Sequence, residues 1–201
     1  MSVLVEAAVR RRSRSSLLAD VALVVVGSLV VAGLAQLTVR LPFTPVPVTG
    51  QTLAVLVVGA SLGPVRGGIS LLLYLAEGAA GLPVFAEGGA GLTKLLLPSI
   101  TGGYLWGFVV AAFVVGALAE RRWDRRLSSA IGAMLLGEIV IFFCGVVWLS
   151  AALGVPGSKA LELGLYPFVL GELVKLLVAA GILPAAWKLS TPPDLGRISL
   201  R

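Results

Sequence analysis

The chain has 201 residues, 58% of them hydrophobic and 13% charged, with a mean hydropathy of +1.01; soluble domains carry about 45–50% apolar and about 25% charged residues. It contains no histidine and a single cysteine, Cys144, which excludes Ser-His hydrolysis, an intrachain disulfide and a zinc site of several Cys or His ligands. A net charge of +6 would suit nucleic acid, but the positions of the basic residues argue for membrane topology and no nucleic-acid partner.

Windows of about 20 apolar residues predict six spans, at 17–39, 50–65, 67–82, 100–119, 127–153 and 167–187. They show no polar/apolar alternation of the kind a membrane β-barrel needs, so the fold class expected is an all-α integral membrane protein. The first window is too long for a cleaved signal peptide and lacks a small-residue cleavage site, so it is read as a retained span. The second and third are short and separated only by "LGPVRGG", which reads either as a tight helical hairpin or as one broken element.

With the N-terminus inside, twelve of the sixteen Lys and Arg fall on the inner side: Arg10, Arg11, Arg12, Arg14, Arg66, Arg121, Arg122, Arg125, Arg126, Lys188, Arg197 and Arg201. Only Arg40, Lys94 and Lys159 fall outside, and Lys175 lies within a span. This bias predicts both termini on the cytoplasmic side. "RRRSRS" and "RRWDRR" are read as anchors set by that rule, with no specific ligand.

Two outer connections stand out, "RLPFTPVPVTGQT" (40–52) and "GLPVFAEGGAGLTKLLLPSITGGY" (81–104). Pro fixes backbone shape and Gly permits close approach and hinge motion, so the pair reads as a rigid rim and a mobile cover over an outward-facing pocket. Small residues at three- or four-residue spacing form two stripes, Ser28, Ala32 and Ala35 on the first span and Gly103, Gly107 and Ala111 on the fourth; such spacing marks close helix packing.

Ionisable residues inside spans are costly and face cavities or the bundle interior. Four qualify: Glu77, Glu138, Glu172 and Lys175. In "GELVKLLVAAG" (171–181), Glu172 and Lys175 are three apart and share a helix face. If that helix starts at Pro167, they lie roughly 8–12 Å from its outer end. They form either an internal pair that neutralises itself or a site for a ligand offering polar donors and a negative charge. Acid/base catalysis by Glu172, Glu77 or Glu138 is the reading from a different class, disfavoured without His or a metal cluster. No P-loop occurs, since "GVPGSKA" and "GGAGLTK" have the wrong spacing; uphill transport would need an ion gradient or a partner.

The ordered set "TPVPVTGQTLAVLVVG" (44–59), "LGPVRGG", "YLAEGAAGLPVFAEGGAG" (74–91), "TGGYLWGF" (101–108) and "PFVLGELVKLLVAA" (167–180) resembles the BioY family, the biotin-binding S components of energy-coupling factor (ECF) transporters, over nearly the whole chain. The resemblance implies a single transmembrane domain over 1–201, six helices in a compact bundle, an outward-facing biotin pocket, no catalysis and no cofactor. Family members commonly carry Gly-Asp-x-x-Lys where "GELVK" stands here, so Glu replaces Asp. "PSITGGY" replaces the more usual Gly-Pro-Thr-Gly-Gly-Tyr, and Glu77 stands where an apolar residue is expected. Substrate contacts then fall on Glu172 and Lys175, on Tyr74 and Tyr104 against the rings, on Thr49 and Gln51 from the first outer loop, and on Phe85 closing the lid. Which of Glu172 and Lys175 meets which end of biotin stays open. The resemblance also implies partners, a transmembrane coupling protein and a pair of ABC-type ATPase subunits, with Ser28, Ala32 and Ala35 as a docking face. An S component for another vitamin and a non-transport membrane subunit are the alternatives.

Overall fold

In the computed structural model, residues 17–190 are described; Arg10, Arg11, Arg12, Arg14, Arg197 and Arg201 lie outside them. Seven helices are found there: α1 (Leu17–Ala35), α2 (Gln51–Leu62), α3 (Pro64–Ala79), α4 (Gly102–Glu120), α5 (Leu127–Leu153), α6 (Gly157–Gly164) and α7 (Val169–Ser190). A two-residue antiparallel hairpin, β1 (Thr38–Val39) and β2 (Val48–Thr49), and two 3-10 turns, Ala86–Gly88 and Leu92–Leu95, occupy the long connections.

Four helices, α1, α4, α5 and α7, are long and apolar enough to cross a bilayer. The six expected windows all become helices, but α2 and α3 are only 12 and 16 residues long, about 18 and 24 Å at 1.5 Å per residue. They are separate helices rather than one broken element. Gly63, at φ 83°, turns the chain in a conformation that L side chains rarely adopt, and Pro64 opens α3 without the N–H a helix's first turn leaves unpaired. The first window ends early at Ala35 because the hairpin takes up Thr38 and Val39. Pro167 is a correction: α7 begins two residues later, at Val169, so Glu172 sits in its first turn.

α4 packs against α2, α3 and α5 and forms the spine of the bundle. Close approach carries this packing. A Cβ on Gly59 would stand 2.6 Å from the Ala112 carbonyl oxygen and 2.8 Å from the Ala112 Cα. Gly103 and Gly107 meet α5 in the same manner, against Trp148, Cys144 and Ile141, so that stripe does what its spacing predicts. One buried cluster, including Val55, Leu71, Tyr74, Phe108 and Ile141, fills the half of the bundle nearer the hairpin; a second, including Leu56, Met134, Ala179 and Leu183, fills the other. The outer faces are apolar: Val21, Val26, Leu29, Ile139, Phe143, Leu170 and Val174 are all exposed. A surface of this kind is stable against lipid, not water.

The stripe on α1 faces its own bundle. Ser28 and Ala35 are fully buried and Ala32 is 9% exposed, in a helix that packs on α2 and α3. The Ser28 hydroxyl donates to the Val25 carbonyl and to Glu77 Oε1, at 3.0 and 3.1 Å. Small side chains draw α1 onto its own bundle.

Candidate functional site

Thr49 closes β2 and Gln51 and Thr52 open α2; Tyr104, Leu105 and Phe108 belong to the first two turns of α4; Glu172 is in the first turn of α7. These starts converge at one end of the molecule and enclose a cavity of about 980 Å³. The loop over 40–49 and the stretch from Phe85 to Thr101 complete its rim. Arg66, Arg121, Arg122, Arg125, Arg126 and Lys188 all lie at the opposite ends of these helices.

A connected polar network stands behind the floor. Lys175 Nζ donates to Glu172 Oε1 at 2.7 Å, to the Thr49 carbonyl at 2.5 Å and to Thr52 Oγ1 at 3.3 Å. The Thr52 hydroxyl donates to Glu172 Oε2 at 2.6 Å. Both oxygens of the Glu172 carboxylate are therefore held, one by an ammonium and one by a hydroxyl, with the side chain 9% exposed and that of Lys175 17% exposed. Charge-assisted bonds at such burial fix a carboxylate in one orientation. Glu138 of α5, 6% exposed, lies next to the Glu172 carboxylate; neither of its own oxygens finds a hydrogen-bond donor.

The wall beside this floor is aromatic. Tyr104, Phe108, Phe142 and Phe168 all line the cavity, with Phe142 edge-on to Tyr104 (centroids 5.9 Å apart, planes at 86°) and tilted against Phe168. The Tyr104 hydroxyl is already used, donating to the Gly164 carbonyl at 2.8 Å, so this residue offers its ring face. On the far side Thr49 Oγ1 donates to Gln51 Oε1 at 3.0 Å.

Of the seven residues expected to contact substrate, Thr49, Gln51, Phe85, Tyr104 and Glu172 line the cavity, whereas Tyr74 and Lys175 stand one layer behind it. Tyr74 is fully buried. Its hydroxyl accepts from Gln51 Nε2 at 2.6 Å and donates to the Val84 carbonyl at 3.1 Å, and its ring meets the Phe85 ring at 82°. It therefore orients Gln51 and seats Phe85. Sequence reasoning missed Thr52, Phe108, Phe142 and Phe168. Only Thr52, a hydroxyl beside Gln51 at a helix start, carried a local signal.

The rim is charged. Arg40 and Glu87 make a two-pronged ion pair across the mouth, joining the hairpin loop to the Ala86–Gly88 turn. The Arg40 guanidinium holds the Glu87 carboxyl below its usual range. Gln36 ties the same turn to α1: its amide donates to the carbonyls of Val84 and Phe85, and its oxygen accepts from Gly88 N–H. On the other side Thr44 Oγ1 donates to the Leu163 carbonyl at 2.6 Å, pinning the hairpin loop to α6.

With this geometry established, similarity to known proteins identifies the family. The family model described as the BioY family matches residues 7–191. The biotin transporter BioY of Rhizobium etli is 36% identical over 149 residues, covering 71% of this chain and 78% of that protein. The biotin transporter BioY of Thermotoga maritima is 39% identical over 142 residues, covering 71% and 81%. A crystal structure of the S-component for biotin from an ECF-type ABC transporter superposes with a TM-score of 0.76 at 27% identity, covering 85% of this chain and 92% of that one. This chain is a multi-pass membrane protein that belongs to the BioY family.

Proposed function

We propose that this chain is the substrate-capture subunit (S component) of an ECF-type vitamin importer in a prokaryotic cell membrane, and that biotin is its ligand. The observation that carries the reading is a cavity in which an aromatic wall meets a carboxylate held at both oxygens. Biotin offers a ureido group with two N–H donors and a carbonyl, an apolar bicycle and a carboxylated tail. The bicycle suits the faces of Tyr104, Phe108, Phe142 and Phe168. The fixed Glu172 carboxylate accepts from a ureido N–H, with Gln51 and Thr49 supplying further polar contacts. Lys175 acts through Glu172, neutralising and orienting it. The function is binding and translocation rather than catalysis, with biotin as cargo and no cofactor.

We read residues 1–201 as one transmembrane domain with six crossings. α2 and α3 supply the second and third, both shorter than the roughly 30 Å hydrocarbon core. The cations at the ends remote from the cavity argue that this end and both termini are cytoplasmic, so that the cavity opens outward. The energising partners are a transmembrane coupling protein and ATPase subunits, docking on a surface other than the buried Ser28 stripe.

Labelled biotin bound to the detergent-purified chain tests the ligand. Excess unlabelled biotin should displace it and excess thiamine or riboflavin should not; displacement by another vitamin at equal or lower concentration would transfer the assignment to that vitamin. Glu87→Gln should release bound biotin up to about fivefold faster in stopped-flow measurements, since exposed ion pairs contribute little, and the difference should shrink in high salt. Release from the wild type should also quicken as the pH falls below the ordinary glutamate range, where protonation of Glu87 removes the Arg40 pair.

A further inference from the structure

At the end of the molecule remote from the large cavity, a cleft of about 450 Å³ is lined by Arg122, Arg125, Arg126, Ser128 and Ser129. We propose that it binds the phosphate group of an anionic phospholipid. Its lining residues are three arginines and two serines, with no acidic residue among them. Ion pairs among the described residues join Arg40 to Glu87, Arg66 to Asp20, Lys159 to Glu162 and Lys175 to Glu172, and none involves an arginine of the cleft. The acid within the same loop, Asp124, is 1% exposed, accepts from Trp187 Nε1 and is attracted by Arg125, which leaves Arg122 and Arg126 without a carboxylate in an ion pair among the described residues. Clustered guanidinium groups in excess of the carboxylates near them repel one another and suit a tetrahedral oxyanion that accepts from several at once.

Three further features support the assignment. Arg126 is the N-cap of α5, and Ser128 and Ser129 of its first turn line the cleft, so the positive end of that helix's dipole lies beside it. Arg125 lies over the Trp187 ring at 4.2 Å, which holds its guanidinium in place. Arg122 adopts φ 70°, a left-handed conformation that disfavours residues with a Cβ, secured by hydrogen bonds from Arg122 N–H to the Ala119 carbonyl and from Trp123 N–H to the Leu118 carbonyl. Glycine would relax that turn, so a guanidinium is kept there against a local backbone cost.

The choice of a lipid over free phosphate follows from what adjoins the cleft. Leu127, Leu135, Ile139 and Phe143 are exposed along α5 at eight- and four-residue spacing, an apolar track starting at the cleft and running into the membrane, where an acyl chain lies. Trp123, 37% exposed beside the cleft, is the kind of aromatic found at headgroup level, and basic pockets at membrane-helix ends are suited to phospholipid headgroups.

The test is thermal unfolding and native mass spectrometry of the full chain in neutral detergent with phosphatidylglycerol, phosphatidylcholine or inorganic phosphate. Phosphatidylglycerol should raise the unfolding temperature and remain bound, while the other two leave it nearly unchanged at equal concentration. Arg122→Gly should be at least as stable as wild type without lipid, because its turn is relaxed, yet bind phosphatidylglycerol about fivefold more weakly. Arg126→Gln, which leaves the turn's backbone alone, should weaken it similarly. Equal retention of the two lipids, or unchanged affinity in both variants, would overturn the proposal. Stabilisation by inorganic phosphate as strong as by phosphatidylglycerol would replace the lipid with a free anion.

Discussion

Lys175→Met should destabilise the protein by about 3 kcal/mol in reversible unfolding and abolish ligand binding. Removing one member of a buried pair leaves the other charge without compensation, a change that costs about 3–5 kcal/mol. Here the survivor would be Glu172, 9% exposed and keeping only the Thr52 hydroxyl as a donor, with Glu138 beside it. The double variant Glu172→Leu/Lys175→Leu separates the two roles of the pair. It removes both charges together, so stability should return to within about 1.5 kcal/mol of wild type, while binding stays lost because the acceptor on the cavity floor is gone. A double variant that binds biotin as wild type does would make the pair a structural bridge only.

The second large effect lies in the spine of the bundle. Gly59→Val should cost about 3 kcal/mol, read as a lower unfolding temperature in detergent and reduced yield from the membrane. The new Cβ would stand 2.6 Å from the Ala112 carbonyl oxygen and 2.8 Å from its Cα. Those are backbone atoms in the middle of α4, which cannot rotate away as a side-chain end can. By contrast Gly33, where an added Cβ would meet nothing within 4 Å, should accept alanine with a change in stability too small to resolve.

How much of this was legible in the sequence follows from how a membrane alters the hydrophobic pattern. Apolar windows located all six long helical segments, because a lipid-facing helix is apolar all round. The same uniformity hid which face of each helix turns inward. Phe108, Phe142 and Phe168 read like any other aromatic in an apolar run, although they form the cavity wall. Charged residues were legible for the opposite reason: at a span's end, "GELVK" is conspicuous, and its i,i+3 spacing made the Glu172–Lys175 pair predictable. The third member, Thr52, is 120 residues from Glu172 along the chain, a distance no local pattern bridges. The three- and four-residue spacing of Ser28, Ala32 and Ala35 announced close packing without saying against what, and the stripe packs on the chain's own bundle. The hairpin β1–β2 is two residues per strand, too short for alternation to register, and α6 is a single eight-residue segment among turn residues.

The most direct test of the central claim is calorimetric titration of biotin into the purified chain alone, without any coupling or ATPase subunit. The account predicts one saturable site per chain, with heat of binding lost when Glu172 is changed to Gln and affinity reduced when Phe142 is changed to Ala, in protein whose unfolding temperature shows it to be folded. Folded wild-type protein that gives no saturable heat with biotin, or a Glu172→Gln variant that binds it with unchanged affinity, would contradict the account.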